Sequence, residues 1–151
     1  MIEARSAAEG SPPFNVLVID DNRDFVEFLN LLLSHDGFHV HWTYNGPDGL
    51  EWLRQHPVDL VILDVMMPKM DGLTVCRELK NRHPALPVIL LTAKDDMATR
   101  AEAIKLGVCE FLAKPVNIED LMTRVRTQCQ ICQWDKNLQV ATGEGEAEKQ
   151  A

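Results

Sequence analysis

The sequence predicts an α/β fold, in which helices cover both faces of a parallel sheet. Short runs of mainly aliphatic residues alternate along the chain with segments of helical periodicity. Glycine and proline residues mark the joints between these segments. Strands made mainly of aliphatic residues are typical of parallel sheets, because crossover helices bury both of their faces. We therefore expect successive βαβ units.

Five apolar runs are predicted as strands, each bounded by polar, glycine or proline residues. They cover residues 15–20, 38–44, 58–64, 86–92 and 108–113. Right-handed crossovers between such strands leave few possible topologies.

A helical segment follows each predicted strand. These segments begin near Asp24, Gly46, Gly72, Met97 and Asn117. The first has apolar residues at helical spacing, namely Phe25, Phe28, Leu29, Leu32 and Leu33, and the last has Ile118, Leu121, Met122 and Val125. Asp24 is interpreted as an acid in the first turn of its helix, where the helix dipole favours it.

Length and composition favour one globular domain and exclude some function classes. The chain has 151 residues, 46% of them hydrophobic and 25% charged. A net charge of −8 without a basic patch argues against direct binding to nucleic acid or to anionic lipid. No apolar run approaches the ~20 residues that span a bilayer. The N-terminus does not resemble a secretory signal, so the four cysteines are expected to be reduced in the cytoplasm.

The composition changes at both ends of the chain. Residues 1–13 are small, polar and proline-containing, which predicts a flexible N-terminal lead. Residues 14–134 carry the alternating pattern and form the predicted domain. Residues 135–151 end in a Gly/Glu-rich segment, and we expect an acidic disordered tail or the start of a linker.

Four of the five predicted strands end at, or within two residues of, a polar side chain of chemical interest. The first ends at Asp20 and Asp21, the third at Asp64, the fourth at Thr92 and the fifth at Lys114. In an open α/β sheet, ligands bind at the carboxyl ends of the strands, where the strand order reverses. If the first and third strands are neighbours there, the three carboxylates converge.

Converging carboxylates need a compensating positive charge. Two like charges ~4 Å apart repel by roughly 4 kcal/mol at an effective dielectric constant near 20. Protons or a cation must therefore bind, and an all-oxygen site of few protein ligands suits Mg²⁺. Lys114 can neutralise a further anion, and Thr92 can donate a hydrogen bond to it. The alternative is that each residue only caps a helix or starts a turn, but this explains four strand ends together less well.

At these residues the sequence resembles the receiver domain of two-component response regulators, of the kind found in the chemotaxis response regulator. The matching stretches are "VLVIDDN", "DLVILDVMMPKMDGL", "PVILLTA" and "GVCEFLAKP", and the similarity covers residues 14–133. The resemblance implies a doubly wound, flavodoxin-like (βα)5 fold whose five-stranded parallel sheet has the order 2-1-3-4-5.

The resemblance also implies roles for the strand-end residues. Asp64 matches the phosphoacceptor, which attacks the phosphoryl group of a phosphohistidine. Asp21 matches a direct Mg²⁺ ligand, with Asp64 and the backbone carbonyl of Met66 as the other protein ligands. Asp20 is expected to hold the ion through water, and Mn²⁺ can substitute for Mg²⁺. Lys114 and Thr92 are expected to contact phosphoryl oxygens.

Further positions match variable or conformational features of the family. Phe111 matches the position at which the family carries a switch residue, a Tyr or Phe that turns inward as the threonine moves toward the phosphoryl group. The alternative is that Phe111 is an ordinary aromatic residue of the core. The Lys114–Pro115 bond is expected to be cis on resemblance alone. Met66 and Lys94 match positions that tune the lifetime of the phosphoaspartate, and Met66 suggests slow self-dephosphorylation because it cannot orient water.

The resemblance implies a phosphorylation-dependent signalling module that is not a conventional enzyme, since it catalyses only its own phosphorylation and slow self-dephosphorylation. The expected donor is a histidine kinase or a histidine phosphotransfer protein. The expected downstream partner is an output protein or domain, or a second copy of the chain. It is expected to bind at the face formed by the fourth helix, fifth strand and fifth helix.

The same residues allow two other functions. A Mg²⁺-dependent phosphohydrolase with an aspartyl nucleophile needs a second acid two residues further on, where this chain has Met66 after Asp64 and Asn22 after Asp20. A module that binds partners without phosphorylation is disfavoured by the retention of the acids, Thr92 and Lys114.

Overall fold

The computed structural model describes residues 13–67, 71–93, 96–108 and 110–150, with side chains described as far as Asp135. Five strands alternate with five helices. The strands are β1 (Asn15–Ile19), β2 (His39–Thr43), β3 (Leu60–Asp64), β4 (Val88–Ala93) and β5 (Glu110–Lys114). The helices are α1 (Arg23–His35), α2 (Gly46–Gln55), α3 (Gly72–Arg82), α4 (Met97–Lys105) and α5 (Ile118–Gln150).

The strands form one parallel sheet in the order β2-β1-β3-β4-β5, as expected. The register aligns the carboxyl ends of the inner strands. Ile19, the last residue of β1, pairs with Leu63, and Asp64 pairs with Leu91. The strand order reverses between β1 and β3, so the loops after these two strands lie on either side of one crevice.

Both faces of the inner strands are buried, because alternate residues of these strands enter different hydrophobic clusters. Leu60 and Ile62 of β3 join a cluster under α1 and α5. Val61 and Leu63 join a second cluster under α2, α3 and α4. Each fully buried aliphatic side chain of this kind contributes about 1.5–3 kcal/mol relative to an exposed one. Two cores thus hold the central strands rigidly from both sides.

Polar caps fix the starts of all five helices. The side chains of these caps accept hydrogen bonds from backbone N–H groups of the first turn; the caps are Asn22 (from Phe25, 3.0 Å), Asn45 (from Asp48, 2.8 Å), Asp71 (from Leu73, 3.2 Å), Asp96 (from Thr99, 3.0 Å) and Asn117 (from Asp120, 2.9 Å). Each cap satisfies an N–H group that has no partner inside the helix. Asp24 lies in the first turn of α1, as predicted.

The predicted ends of the chain compare with the structure in different ways. The predicted N-terminal lead covers residues 1–13. Residues 1–12 of this segment lie outside the described residues. The described backbone is helical as far as Gln150, and the interpretation of residues 135–151 as an acidic disordered tail or the start of a linker stays a prediction. Alanine, glutamate, glutamine and lysine, which are common in this segment, favour helix despite its two glycines. The domain boundaries at 14 and 134 stay a prediction.

Among the described residues, no helix combines the length and apolar character needed to cross a bilayer.

Candidate functional site

Strands β1, β3 and β5 bring acidic and basic side chains together at the carboxyl edge of the sheet. Asp20 follows the last residue of β1, and Asp64 ends the neighbouring strand β3. Carboxylate oxygens of Asp20, Asp21 and Asp64 lie within 4.8 Å of one another. Lys114 ends β5, two strands away from β3, and its long side chain reaches the same place. The convergence expected from the sequence is therefore present.

Lys114 bridges two buried carboxylates. Its Nζ lies 3.1 Å from Oδ2 of Asp20 and 3.1 Å from Oδ2 of Asp64. Asp20 is 0% exposed and Asp64 is 2% exposed. Charged groups this deeply buried are stable only when they are paired and hydrogen-bonded. The ammonium provides the pairing for both.

The loops that follow β1 and β3 hold the second oxygen of each carboxylate. The N–H of Asn22 donates to Oδ1 of Asp20 at 2.9 Å, and the N–H of Met66 donates to Oδ1 of Asp64 at 2.9 Å. Both contacts span two residues, the local turn geometry that Asp side chains favour. Each buried carboxylate is thus fixed in orientation by one backbone donor and one shared ammonium.

Burial and neighbouring charges shift the pKa values of Asp20 and Lys114. Burial raises the pKa of Asp20, and the negative charge of Asp64 adds to the rise, whereas the Asn22 N–H and Lys114 oppose it. Burial alone lowers the pKa of Lys114, but the charges of Asp20 and Asp64 outweigh it, and the pKa is raised. The ammonium therefore stays charged at neutral pH, while the acids remain electrostatically crowded.

The donor set suits a hard divalent cation. Asp21 is exposed, and its carboxylate has no hydrogen-bond donor within the described part of the chain. Three carboxylates and one ammonium leave two net negative charges in a small volume. Carboxylate and carbonyl oxygens are the ligands that Mg²⁺ and Mn²⁺ prefer. The residues present therefore fit the expected ion, with the Met66 carbonyl available beside Asp64.

Thr92 and Phe111 lie on one face of the sheet. Thr92 pairs with Ala113 and Leu90 pairs with Phe111, so the four side chains point to the same side. Thr92 is fully buried, and its Oγ1 has no hydrogen-bond partner among the described residues. Phe111 is half-buried and packs against the second hydrophobic cluster, which lies under α2, α3 and α4. This position is compatible with both the switch and the core interpretation of Phe111.

Three features of the site were not recognised from the sequence. The backbone of Asn22 orients Asp20, the Phe25 ring lies 5.3 Å from Nζ of Lys114, and the Arg100 guanidinium lies 5.9 Å from the centre of the Phe111 ring. Asn22 was recognisable as a helix cap, but no pattern indicates the two ring contacts. The Lys114–Pro115 peptide bond is cis, as expected. Lys94 lies outside the described residues.

Comparison with known proteins gives consistent matches. The family model for the response regulator receiver domain matches residues 16–126. Response regulator ArlR of Staphylococcus aureus is 35% identical over 111 residues, which are 74% of this chain and 50% of the relative. The chain thus spans about half the length of the curated relatives it matches.

Solved structures also match. A response regulator receiver domain protein from Clostridium thermocellum has 32% identity and a TM-score of 0.73, and the match covers 80% of this chain and 98% of that one. A CheY-like receiver domain protein from Methanospirillum hungatei has 18% identity and a TM-score of 0.77, over 82% of this chain and 99% of that one, which shows the shared fold.

Proposed function

The chain belongs to the response regulator receiver family of two-component signalling, and from this membership we propose that Asp64 accepts a phosphoryl group in a Mg²⁺-dependent reaction. The observation that carries the proposal is the Lys114 ammonium, 3.1 Å from both Asp20 and Asp64, beside the exposed Asp21 carboxylate. Such a cluster of anions and one cation at a strand edge is suited to an incoming phosphoryl group.

Asp64 is the proposed nucleophile. One of its oxygens attacks the phosphorus of a phosphohistidine, a P–O bond forms, and the P–N bond breaks with its electron pair passing to the imidazole of the donor. The carboxylate is already a nucleophile when ionised, so no general base is required. The N–H of Met66 and the ammonium of Lys114 orient it for this attack.

Lys114 and Thr92 are the proposed partners of the transferred group. Lys114 contacts a phosphoryl oxygen as the charge of Asp64 passes into the acyl phosphate. The Thr92 hydroxyl, which lacks a partner among the described residues, donates to another phosphoryl oxygen. Charge neutralisation and positioning are the main requirements of phosphoryl transfer.

The proposed metal ligands are Asp21, Asp64 and the Met66 carbonyl, with Asp20 acting through water. A bound Mg²⁺ supplies positive charge that offsets the carboxylates and the phosphoryl oxygens. The carboxylates of this chain determine where that charge is held, and Mn²⁺ has the same ligand preference.

The proposed outcome is a change of partner-binding surface. Thr92 and Phe111 pass the change to α4, β5 and α5, where Met97 and Ile104 of α4 are 68% and 60% exposed. The proposed phosphoryl donor is a histidine kinase or a histidine phosphotransfer protein. The proposed downstream partner is an output protein or domain, or a second copy of this chain. A cytoplasmic location is part of this proposal.

We propose that the chain is not a conventional enzyme, because the phosphoryl group resides on its own side chain. Self-dephosphorylation is proposed to be slow. The Met66 side chain is 56% exposed and carries no group that orients an attacking water.

The test uses acetyl phosphate as the donor, with and without Mg²⁺, followed by mass spectrometry of the intact protein. We expect one phosphoryl group on the wild type with Mg²⁺, and none on Asp64→Asn, which keeps the side-chain volume but removes the nucleophile. Absence of phosphate on the wild type, or its presence on Asp64→Asn, overturns the proposal.

A further inference from the structure

We propose that Phe25 is a positioning residue for the phosphoryl-transfer reaction, because its ring holds the Lys114 ammonium between the two buried carboxylates. This role rests on the proposed function of Asp64. The observation is the 5.3 Å distance between Nζ of Lys114 and the centre of the Phe25 ring.

The start of α1 fixes the place of this ring. The Phe25 N–H donates to Oδ1 of Asn22 at 3.0 Å, which caps the helix. The N–H of Asn22 donates in turn to Oδ1 of Asp20 at 2.9 Å. Asn22 therefore ties the buried carboxylate and the aromatic residue into one local unit. Phe25 is half-buried and packs against the cluster under α1 and α5.

The ring acts on a side chain that is otherwise flexible. A lysine carries three donors on a four-carbon stem with many rotamers, and two of these donors point to Asp20 and Asp64. The face of an aromatic ring attracts a cation within about 6 Å, and the ring also displaces water from that side of the ammonium. The Lys114 side chain is 26% exposed, so Phe25 forms part of its cover.

The ring contact matters most when the ion pairs change. In the resting protein, the two carboxylates attract the ammonium more strongly than a ring does. When Asp64 becomes an acyl phosphate, its carboxylate charge is lost and Lys114 must move to a phosphoryl oxygen. The contact with Phe25 does not depend on the state of Asp64. It therefore limits the positions that the ammonium explores during the transfer.

The experiment measures the rate constant for phosphorylation by acetyl phosphate at saturating Mg²⁺. This small donor makes no docking contacts with α1, so the rate reports the site alone. Phe25→Leu keeps an apolar side chain but removes the ring face, and we expect the rate constant to fall roughly two- to fivefold. Phe25→Tyr restores a ring and is expected to restore the rate.

Phe28→Leu is the matched control, since Phe28 lies on the same helix and is 46% exposed. We expect this variant to retain the wild-type rate. A second readout uses metal-free protein: NMR of the Lys114 ε-methylene should show an upfield ring-current shift that disappears in Phe25→Leu and persists in Phe28→Leu.

The outcomes separate the two proposals. A Phe25→Leu protein with the wild-type rate, a Phe25→Tyr protein as slow as Phe25→Leu, or a Lys114 signal unchanged in Phe25→Leu overturns the role of Phe25 while leaving the proposed function of Asp64 intact. A wild type that accepts no phosphoryl group overturns both.

Discussion

Thr92 is unusual among the buried residues of this protein, because its hydroxyl oxygen is enclosed in β4 without a hydrogen-bond partner among the described residues. Leaving a buried hydroxyl unpaired costs about 1–3 kcal/mol. Within the described part of the chain, this donor at the carboxyl edge of the sheet makes no hydrogen bond that would stabilise the resting fold. This is the behaviour expected of a group that is retained for a ligand.

Thr92→Val should therefore separate stability from function. Valine has nearly the same shape without the hydroxyl, so we expect the free energy of unfolding to stay the same or to rise by up to about 1–3 kcal/mol. The chemical-shift changes that acetyl phosphate causes in α4 should shrink. Urea unfolding and NMR measure the two effects.

Thr43→Val is the control for this prediction. The Thr43 hydroxyl donates to the carbonyl of Asn45 at 3.1 Å, so its loss should lower the free energy of unfolding by about 0.5–1.5 kcal/mol. Equal destabilisation of both variants would contradict the interpretation of Thr92.

The sequence predicted which charged residues form the site, but it did not predict their contacts. Asp20, Asp64 and Lys114 were predictable because each lies at or next to the end of a strand, and parallel strands bring their carboxyl ends together. The contact of the Phe25 ring was not predictable, because Phe25 belongs to an apolar stripe that predicts only core packing. A contact between α1 and β5 depends on tertiary packing, and helical periodicity carries no information about it.

At the scale of elements, the start of α3 lies very close to the residue that follows Asp64. A Cβ atom on Gly72 would lie 2.2 Å from Cα of Val65, which is backbone. No rotamer change can relieve such an overlap. Glycine at position 72 therefore allows the helix to approach the site as closely as it does.

Gly72→Ala should destabilise the protein although alanine is the better helix former. The helical preference gains about 1 kcal/mol, and the overlap costs about 1–3 kcal/mol or more. Because Val65 adjoins Asp64, we also expect slower phosphorylation by acetyl phosphate. Urea unfolding and the phosphorylation rate test the two parts.

Gly49→Ala provides the comparison. A Cβ atom on Gly49 would lie 2.5 Å from Cδ1 of Ile19, the end of a flexible side chain. We therefore expect a smaller loss of stability than for Gly72→Ala. The reverse order would show that the contact between Gly72 and Val65 is not the cause.

The sequence predicted the starts of helices better than the starts of strands. Three helices begin where expected, at Gly46, Gly72 and Met97. Val108 is buried as a strand residue would be, but its N–H donates to the carbonyl of Ala103 and closes the turn after α4. Apolar character alone cannot distinguish such a turn from a strand.

At the scale of the whole molecule, the proposed Mg²⁺ site would link the stability of the fold to divalent cations. A ligand that binds only the folded state stabilises it by about 2.7 kcal/mol at a concentration of 100 times its Kd. Without an ion, the Asp21 carboxylate lies within 4.8 Å of those of Asp20 and Asp64 and has no hydrogen-bond donor of its own in the described chain. The global free energy of unfolding should therefore depend on magnesium.

Asp21→Asn should weaken the dependence of stability on Mg²⁺. In EDTA the variant should be slightly more stable than the wild type, by less than about 1 kcal/mol, because one like charge is gone. With added Mg²⁺ the wild type should gain more stability than the variant, since the variant has lost a ligand. Urea unfolding with and without Mg²⁺ measures both.

Asp24→Asn carries the same change at a nearby exposed acid in the first turn of α1. Loss of its interaction with the helix dipole should lower stability by about 0.3–1 kcal/mol, equally with and without Mg²⁺. A Mg²⁺ response of Asp21→Asn as large as that of Asp24→Asn would contradict the assignment of Asp21.

The overall topology agreed with expectation because several signals pointed to the same fold. Aliphatic strands, polar caps and strand-end acids are mutually consistent, as in other well-specified sequences. The end of the chain carries a weaker signal. Gly143, Gly145 and several glutamates predict a disordered tail or a linker, and this stays a prediction beside the helical backbone described to Gln150.

The position of β3 has a consequence for hydrogen exchange. It is the middle strand, and all five of its residues are buried, whereas no residue of the edge strand β2 is fully buried. Amides in such a centre exchange with deuterium mainly through global unfolding, and those of edges through local opening. We therefore expect Asp64 to lie among the slowest-exchanging amides, so that outer elements can open locally while the strand that carries it stays folded.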